Sequence, residues 1–178
     1  MQTVSAHADE CTLLVALCLL PSILLVMAEC IFCKIVAGEA PAHKIWEDAE
    51  HLAFLTPFPN TEGFTVVITK DHHPSYVADL NSETRSKLID AACAVAKKLD
   101  AAFTDVGRTG VMFEGFGVDH IHAKLFPMHG TNSDEWKKRS SHEEKYFEQY
   151  EGYISSHDAA RTEEDALKKV AEKIRKVI

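Results

Sequence analysis

The chain has 178 residues, of which 46% are hydrophobic and 26% charged, and this is enough for one domain with a sizeable core. A formal net charge of -8 argues against sequence-independent binding of nucleic acid, which needs many lysines and arginines to neutralise phosphates. The odd number of cysteines, five in all, predicts reduced thiols in a cytoplasmic protein rather than a disulfide framework.

Residues 1–29 differ in kind from the rest of the chain. The segment from Leu13 to Ala28 is almost wholly apolar, and no lysine or arginine precedes it. It is short for a membrane-spanning helix, which needs ~20 apolar residues, and it lacks the basic start of a signal peptide. Two interpretations stay open. Either the segment is an extension with no folded role and folding begins near Met27, or residues 13–28 associate with a membrane.

Turn and strand signals alternate after this extension. Residues 38–41 predict a turn, and residues 45–48 and 51–55 predict two short strands joined by a charged turn. Residues 56–60 contain two prolines and predict a loop, because proline interrupts helices and strand ladders alike. Residues 63–69 are rich in β-branched and aromatic side chains and form the clearest predicted strand.

Residues 82–103 predict one long helix. Asn81 or Ser82 can cap its first turn. Cys93 lies within this helix, where we expect it to be a small buried hydrophobic residue. The apolar positions recur with the 3.6-residue period of one buried helix face, and they are Leu88, Ala91, Ala92, Val95, Leu99 and Phe103.

Residues 111–116 and 119–126 predict two further strands, and the charged tail ends in a predicted amphipathic helix. We expect this helix to pack on the domain or on a second subunit, through Ala166, Leu167, Val170, Ile174 and Val177. The order of elements predicts an α+β architecture with a mostly antiparallel sheet, one long helix and a helical C-terminal extension. The predicted divisions of the chain are residues 1–29, 30–131 and 132–178.

The segment 120–126 carries the strongest functional signal, because polar and apolar residues alternate along it. In a β-strand, successive side chains point to opposite faces of the sheet. His120, His122 and Lys124 then share one face, with neighbouring positions about 6 to 7 Å apart. The alternative is an ordinary polar face turned to solvent. We favour a chemical role, because two histidines and a lysine occur so close together.

Cys30 and Cys33 have the spacing of half a tetrahedral zinc site, although a structural or redox pair has the same spacing. Histidines occur near the predicted strands, at His72, His73 and His120. A set of two cysteines and two histidines from three segments would tie the start of the domain to the sheet. It would also orient the strand that carries the histidine motif.

His122 can act as a nucleophile if it binds no metal. Imidazole is nucleophilic near neutral pH, and a hydrogen bond to one ring nitrogen fixes its tautomer. Gly110, Gly115 and Gly117 precede this strand, and their backbone N–H groups can approach phosphate oxygens closely. An alternative from metal-dependent catalysis has His120 and His122 binding one open metal site.

Three further segments support a family assignment together with this motif. They are residues 30–41, with the sequence CIFCKIVAGEAP, residues 53–55 and residues 63–72. Together these segments resemble the histidine triad family of nucleotide hydrolases and transferases. The resemblance implies an α+β homodimer that holds a purine nucleotide against its sheet. It also implies that His122 attacks the α-phosphorus, giving a nucleotidyl-histidine intermediate that water or another acceptor resolves.

The resemblance also implies a structural zinc ion bound by Cys30, Cys33, His72 and His120. It implies that the purine base lies against apolar side chains near the first cysteine and on one strand, each of which could equally be ordinary core packing. These side chains are Ile31, Phe32, Ile35 and Phe54.

Three positions depart from the family pattern. Lys124 stands where the third histidine is expected, and an ammonium can bind a phosphate oxygen but is a poor proton donor near neutral pH. Thr56 stands where an aspartate usually binds the ribose hydroxyls. Glu114 stands where many relatives have an asparagine near the phosphates. A carboxylate there repels an anion unless it is paired, and Lys124 is a candidate partner.

The resemblance implies a hydrolase that cleaves a phosphoramidate or a dinucleoside polyphosphate. His122 and Lys124 are the predicted catalytic residues, and Thr56, Glu114 and Gly117 complete the predicted nucleotide site. The alternative is a non-catalytic nucleotide-binding or scaffold protein of the same fold, in which the three departures mark lost catalysis.

Overall fold

A computed structural model of the chain describes residues 30–132 and 161–177. The apolar segment of residues 1–29, with both of its interpretations, lies outside the described residues, as do residues 133–160 of the charged tail. None of the helices in the described ranges is long and apolar enough to cross a lipid bilayer.

The described residues form an antiparallel sheet with helices on both faces. The helices are α1 (Ile31–Ala37), α2 (Ser82–Ala102) and α3 (Glu164–Arg175), and a 3₁₀ turn spans Val77–Asp79. The strands are β1 (His43–Glu47), β2 (His51–Leu55), β3 (Thr65–Thr69), β4 (Thr109–Met112) and β5 (His122–Pro127). Their order across the sheet is β1-β2-β3-β5-β4, and every neighbouring pair is antiparallel. The predicted α+β architecture is confirmed.

The first two strands form the predicted hairpin with its charged turn. The Asp48 carboxylate accepts hydrogen bonds from the backbone N–H groups of Glu50 and His51, at 2.8 and 2.6 Å. An aspartate that binds the backbone two and three residues ahead stabilises a tight turn. The following strand, β3, begins at Thr65, two residues after the predicted start.

The last two strands are displaced from their predicted positions. The strand predicted at residues 111–116 is observed at Thr109–Met112, and the strand predicted from residue 119 begins only at His122. Gly115 and Gly117 have positive φ angles of 75° and 92°, which are incompatible with a continuous strand. The connection is therefore a turn that delivers His120 to the sheet before β5 begins.

The short helix α1 was not predicted from the sequence. Gly38 ends it in a left-handed conformation, with a φ of 78°, and donates its N–H to the Ile35 carbonyl. Phe32 and Ile35 bury one side of the helix against the sheet. A helix of 7 residues is too short for its apolar period to stand out in the sequence.

The long helix α2 confirms the predicted cap and buried face. The Asn81 side chain accepts a hydrogen bond from the Thr84 N–H at 2.9 Å. All six predicted apolar positions are buried. Cys93 is exposed, so the expectation of a buried thiol is wrong. One residue beyond the buried Ala92 is a rotation of about 100° around the helix, which carries Cys93 away from the apolar face.

Alternation along the central strands divides the core between the two faces of the sheet. Ala123 and Leu125 of β5 pack on the side of α2, whereas Phe54, Val66 and Ile68 pack on the side of α1. Both faces are covered, so every residue of β2 and β3 is buried. His122 and Lys124 alternate with Ala123 and therefore face the α1 side of the sheet.

Helix α3 belongs to the core on the α2 side, which confirms that it packs on the domain. Leu167, Ala171 and Ile174 are buried there. Of the predicted apolar face, Val170 and Val177 are partly buried against this core. Ala166 is exposed, so its predicted burial is wrong. The helix is turned about its own axis so that Leu167 and Ala171, four residues apart, point toward the core.

Replacing Ile174 by alanine removes a fully buried side chain from this core. We expect the free energy of unfolding to fall by about 2 to 4 kcal/mol, because the substitution leaves a cavity. Urea denaturation measures the change. Glu172→Ala, at an exposed position of the same helix, is the control and should shift stability by less than about 0.5 kcal/mol. Equal effects of the two substitutions would contradict the buried position of α3.

The turn after β5 is held by His129. Its Nε2 contacts the Glu62 carbonyl at 3.0 Å, and its Nδ1 contacts the Asp105 carboxylate at 3.1 Å. Burial lowers the pKa of His129, but the hydrogen bonds to Glu62 and Asp105 outweigh burial and raise the pKa above its ordinary value. Because both partners are acceptors, the imidazolium form donates both bonds.

This raised pKa makes the turn's contribution to stability depend on pH. The contribution is complete below the unfolded pKa, about 6.5, and is lost as the pH rises through the higher folded pKa. We expect His129→Ala to lower the melting temperature more at about pH 5.5 than at about pH 8.5. Thermal unfolding of both proteins at both pH values measures this. An effect that grows with pH would contradict the assignment.

Candidate functional site

Four potential metal ligands converge where α1, β3 and the turn before β5 meet. Cys30 and Cys33 lie at the start of α1, His72 follows β3, and His120 precedes β5. One ligand atom from each of the four lies within 4.8 Å of all the others. The structure therefore brings together the complete set predicted from the sequence.

Hydrogen bonds orient this set toward a common centre. His120 Nε2 donates to the Thr69 carbonyl at 2.8 Å, so its Nδ1 carries the lone pair. That Nδ1 lies 3.5 Å from the Cys30 sulfur and 3.6 Å from the Cys33 sulfur, and His72 Nδ1 lies 3.4 Å from the Cys33 sulfur. Sulfur and nitrogen ligands of a tetrahedral zinc ion are about 3.6 Å apart, so the donors fit such an ion.

Burial also shifts the pKa values of two members of this set, Cys33 and His120. Burial and the neighbouring thiol of Cys30 raise the pKa of Cys33 to about 11, so without a cation this thiol stays protonated. Burial lowers the pKa of His120 to about 4, so its imidazole is neutral and can act as a ligand. A bound divalent cation favours the thiolates and releases their protons.

His122 does not belong to the cluster of metal ligands. Among the described residues, the cluster contains His120 but not His122, so the alternative of one open metal site shared by the two histidines is not supported. Instead, His122 Nδ1 donates to the His120 backbone carbonyl at 2.7 Å. This bond assigns the ring proton to Nδ1 and the lone pair to Nε2.

The surroundings of His122 keep its ring neutral and fixed. Burial lowers its pKa, the bond to the His120 carbonyl opposes this shift, and the charge of Lys124 lowers the pKa further. The Phe32 ring meets the imidazole edge-on, with centroids 5.5 Å apart. A neutral imidazole with a defined tautomer is the form that can attack an electrophile.

A cavity of about 660 Å³ lies on the α1 side of the sheet, in front of this histidine. Eight of the predicted site residues line it, namely Ile31, Phe32, Ile35, Phe54, Thr56, Gly117, His122 and Lys124. Its walls are mainly apolar at the α1 end, where Phe32 and Phe54 meet edge to face at 5.6 Å. An apolar pocket with a few polar groups is the usual form of a small-molecule site.

Glu114 is the one predicted nucleotide-site residue that does not line the cavity. Its carboxylate forms an ion pair of 2.9 Å with the Lys124 ammonium, and only 12% and 13% of the two side chains are exposed. The pairing anticipated from the sequence is therefore present. Lys124 lines the cavity, whereas Glu114 does not.

The C-terminal tail supplies a part of the wall that was not predicted. Arg161, Glu164 and Leu167 line the cavity, and Glu164 contacts His43 Nε2 at 2.6 Å. The Thr162 N–H also donates to the carbonyl of Pro57, beside Thr56, at 2.9 Å. The periodicity of the tail predicted an amphipathic helix, but nothing in the sequence indicated which edge of the sheet it would cover.

Comparison with known proteins identifies the family. The HIT domain family model matches residues 37–131, more than half of the chain. This chain belongs to the HIT domain family. The histidine triad resemblance seen in the sequence is thereby confirmed.

Relatives with this domain are similar over most of their own length. Protein hit of Bacillus subtilis is 31% identical over 122 residues, covering 61% of this chain and 83% of the relative. An adenosine 5'-monophosphoramidase of Schizosaccharomyces pombe is 33% identical over 98 residues, covering 55% of this chain and 73% of the relative. A crystal structure of a HIT family protein from Bacillus anthracis is 33% identical, with a TM-score of 0.52 over 64% of this chain and 83% of that one.

Proposed function

We propose that this chain is a nucleotide-binding hydrolase that cleaves at the α-phosphorus of a purine nucleotide conjugate through an intermediate on His122. The observation that carries the proposal is the 2.7 Å hydrogen bond from His122 Nδ1 to the His120 carbonyl. It leaves Nε2 as the nucleophilic nitrogen of a histidine in the wall of a large, mainly apolar cavity.

The cavity offers complementary surfaces to each part of a nucleotide. The base packs against Phe32, Phe54 and the neighbouring aliphatic side chains Ile31 and Ile35. Thr56 offers a hydroxyl to the ribose, in place of the carboxylate expected from the family pattern. The phosphates lie toward His122, where the ammonium of Lys124 and the backbone of Gly117 are the groups that favour an anion.

The reaction proceeds in two displacement steps. His122 Nε2 forms a bond to the α-phosphorus, and the bond from phosphorus to the leaving group breaks with its electron pair on the leaving group. A phosphate leaving group departs as the anion, whereas a nitrogen leaving group takes up a proton from solvent as it departs. The ring keeps the Nδ1 proton, which the His120 carbonyl holds. Water then attacks the phosphorus, the bond from phosphorus to Nε2 breaks, and the proton of water passes to solvent. The products are a nucleoside monophosphate and the free leaving group.

Two kinds of conjugate are compatible with this chemistry, a phosphoramidate and a dinucleoside polyphosphate. The Schizosaccharomyces pombe relative is named an adenosine 5'-monophosphoramidase, which supports nucleotide hydrolysis at this type of site. We also propose a cytoplasmic homodimer, with residues 30–131 as the catalytic domain, on the basis of the family resemblance.

A second candidate function is nucleotide binding without turnover. The ion pair between Lys124 and Glu114 favours it, because the third position of the motif holds a charge-paired lysine instead of a histidine. This candidate predicts measurable affinity for purine nucleotides together with no reaction on any nucleotidyl substrate.

Replacing His122 by asparagine tests these two candidates. The asparagine N–H can still reach the His120 carbonyl, but Nε2 is lost. We expect turnover of adenosine 5'-phosphoramidate and of diadenosine polyphosphates to fall by at least about 10³-fold. Intact mass spectrometry after mixing with substrate should detect a nucleotidyl adduct on the wild-type protein only.

The control for this substitution is His129→Asn, at a histidine that does not line the cavity. It should keep both the adduct and the turnover. Persistence of the adduct in His122→Asn would contradict the assignment of the nucleophile. Nucleotide binding by the wild-type protein with neither adduct nor turnover would favour the non-catalytic candidate.

We propose that the metal held by Cys30, Cys33, His72 and His120 is a structural zinc ion. When bound, zinc supplies a closed crosslink of four ligands between α1 and the ends of β3 and β5. One of these ligands also supports the proposed nucleophile, because the backbone carbonyl of His120 orients the ring of His122. Metal binding and the position of the nucleophile are therefore linked through one residue.

Removing this metal should destabilise the whole domain, because the ligands come from three separate segments. We expect a chelator to lower the melting temperature and added zinc to restore it. Cys33→Ser should lose the zinc ion in native mass spectrometry, whereas Cys93→Ser, at the exposed cysteine of α2, should keep it. Equal zinc contents in the two variants would contradict the proposed ligands.

A further inference from the structure

We propose that the ion pair between Lys124 and Glu114 makes the site selective for conjugates whose leaving group departs as a phosphate anion, at the expense of those that release an amine. The inference rests on the proposed function and specifies its substrate class. It concerns Lys124, which stands where the third histidine of the motif is expected.

Lys124 lies next to the nucleophile on the same face of β5. The two residues are two positions apart in the strand, which separates their Cα atoms by about 6 to 7 Å. Both line the cavity. A group bound to the phosphorus that His122 attacks therefore lies within reach of the long Lys124 side chain.

Glu114 holds the ammonium in this position. The two side chains meet at 2.9 Å and are nearly buried, whereas Lys87, paired with Glu83 on the surface of α2, is 43% exposed. A shielded ion pair is costly to break, because removing either partner leaves the other charge buried without compensation. Glu114 therefore positions the ammonium of Lys124.

The turn that carries Glu114 is itself fixed. Met112 of β4 pairs with Lys124 of β5, so the chain leaves the sheet two residues before Glu114. The next residue, Gly115, has a φ of 75°, and its carbonyl accepts a hydrogen bond from the Ser75 hydroxyl at 2.8 Å. These contacts determine where the carboxylate lies relative to β5.

Only one partner of this ion pair is a cavity-lining residue. Lys124 lines the cavity, and Glu114 does not. A negatively charged leaving group in the cavity thus lies beside Lys124 rather than beside Glu114. A point charge of this kind stabilises negative charge that develops in the transition state.

The two leaving groups make different demands on this residue. When the bond from phosphorus to a bridging phosphate oxygen breaks, the electron pair stays on that oxygen, and no proton has to be transferred. When the bond from phosphorus to nitrogen breaks, the nitrogen must receive a proton as it leaves. Lys124 can stabilise the leaving oxyanion. Giving its proton to a leaving nitrogen is unfavourable, because it would leave the Glu114 carboxylate beside a neutral amine.

The test compares two substrates with the same nucleotide and different leaving groups. Diadenosine triphosphate releases ADP, and adenosine 5'-phosphoramidate releases ammonia. We expect the wild-type protein to have the higher kcat/KM for the triphosphate. Lys124→His should shift the ratio of the two kcat/KM values toward the phosphoramidate by about 10-fold or more, because a histidine can give a proton near neutral pH. Lys97→Met, at an exposed position of α2, is the control and should leave the ratio unchanged.

A series of adenosine 5'-phosphate aryl esters distinguishes this role from a merely structural one. For the wild-type protein, the logarithm of the rate should fall steeply as the pKa of the leaving phenol rises. Lys124→His should flatten this slope by protonating the leaving oxygen. Structural damage would lower every rate by a common factor and leave the slope unchanged. Glu114→Gln should lower the rate with the triphosphate and keep the steep slope, because Lys124 remains but is no longer held.

The outcomes separate this inference from the proposed function. A wild-type preference for the phosphoramidate, or equal slopes for the wild-type protein and Lys124→His, would overturn the selectivity and leave a hydrolase that acts through His122. Absence of both turnover and a His122 adduct with every substrate would overturn the hydrolase, and the selectivity with it.

Discussion

The hydrogen bond between the His122 ring and the His120 carbonyl connects the two halves of this site. The His120 ring meets the thiols of Cys30 and Cys33, while its backbone orients the neighbouring histidine. One residue thereby belongs to the set of candidate metal ligands and also supports the proposed nucleophile. The burial of His120 is complete, and its Nε2 is bonded to the Thr69 carbonyl, so it has little freedom to turn. The tautomer of His122 is therefore a consequence of how the whole corner of the sheet is assembled.

The chemistry of the cavity depends on which side of the sheet each element covers. Helix α1 brings the aromatic and aliphatic wall, and α3 adds residues from the far end of the chain. The pair of Lys124 and Glu114 is the feature that separates this chain from a simple triad of histidines. In the proposed reaction, an ammonium held by a carboxylate favours anion binding over proton transfer, so we expect the difference to affect the leaving group rather than the nucleophile.

Much of the fold and of the site could be predicted from local patterns. The hairpin, the strand β3 and the long capped helix follow from β-branched runs, turn residues and a 3.6-residue period. Other features could not be predicted in this way. Helix α1 is too short to display a period, and the start of β5 depends on the positive φ angles of Gly115 and Gly117. The exposure of Cys93 agrees with its absence from the predicted apolar face, and the wrong expectation of burial rested on residue type alone.

The sequence by itself determined the alternation of His120, His122 and Lys124, the spacing of the cysteine pair and the family to which they belong, because these are properties of neighbouring residues. Only the tertiary structure decided that His120 turns to the thiols while His122 faces the cavity, and that Glu114 pairs with Lys124. It also decided that the tail closes one wall of the cavity, through Glu164 beside His43. These contacts join residues far apart in the chain, and their geometry is set by how strands and helices pack rather than by local sequence.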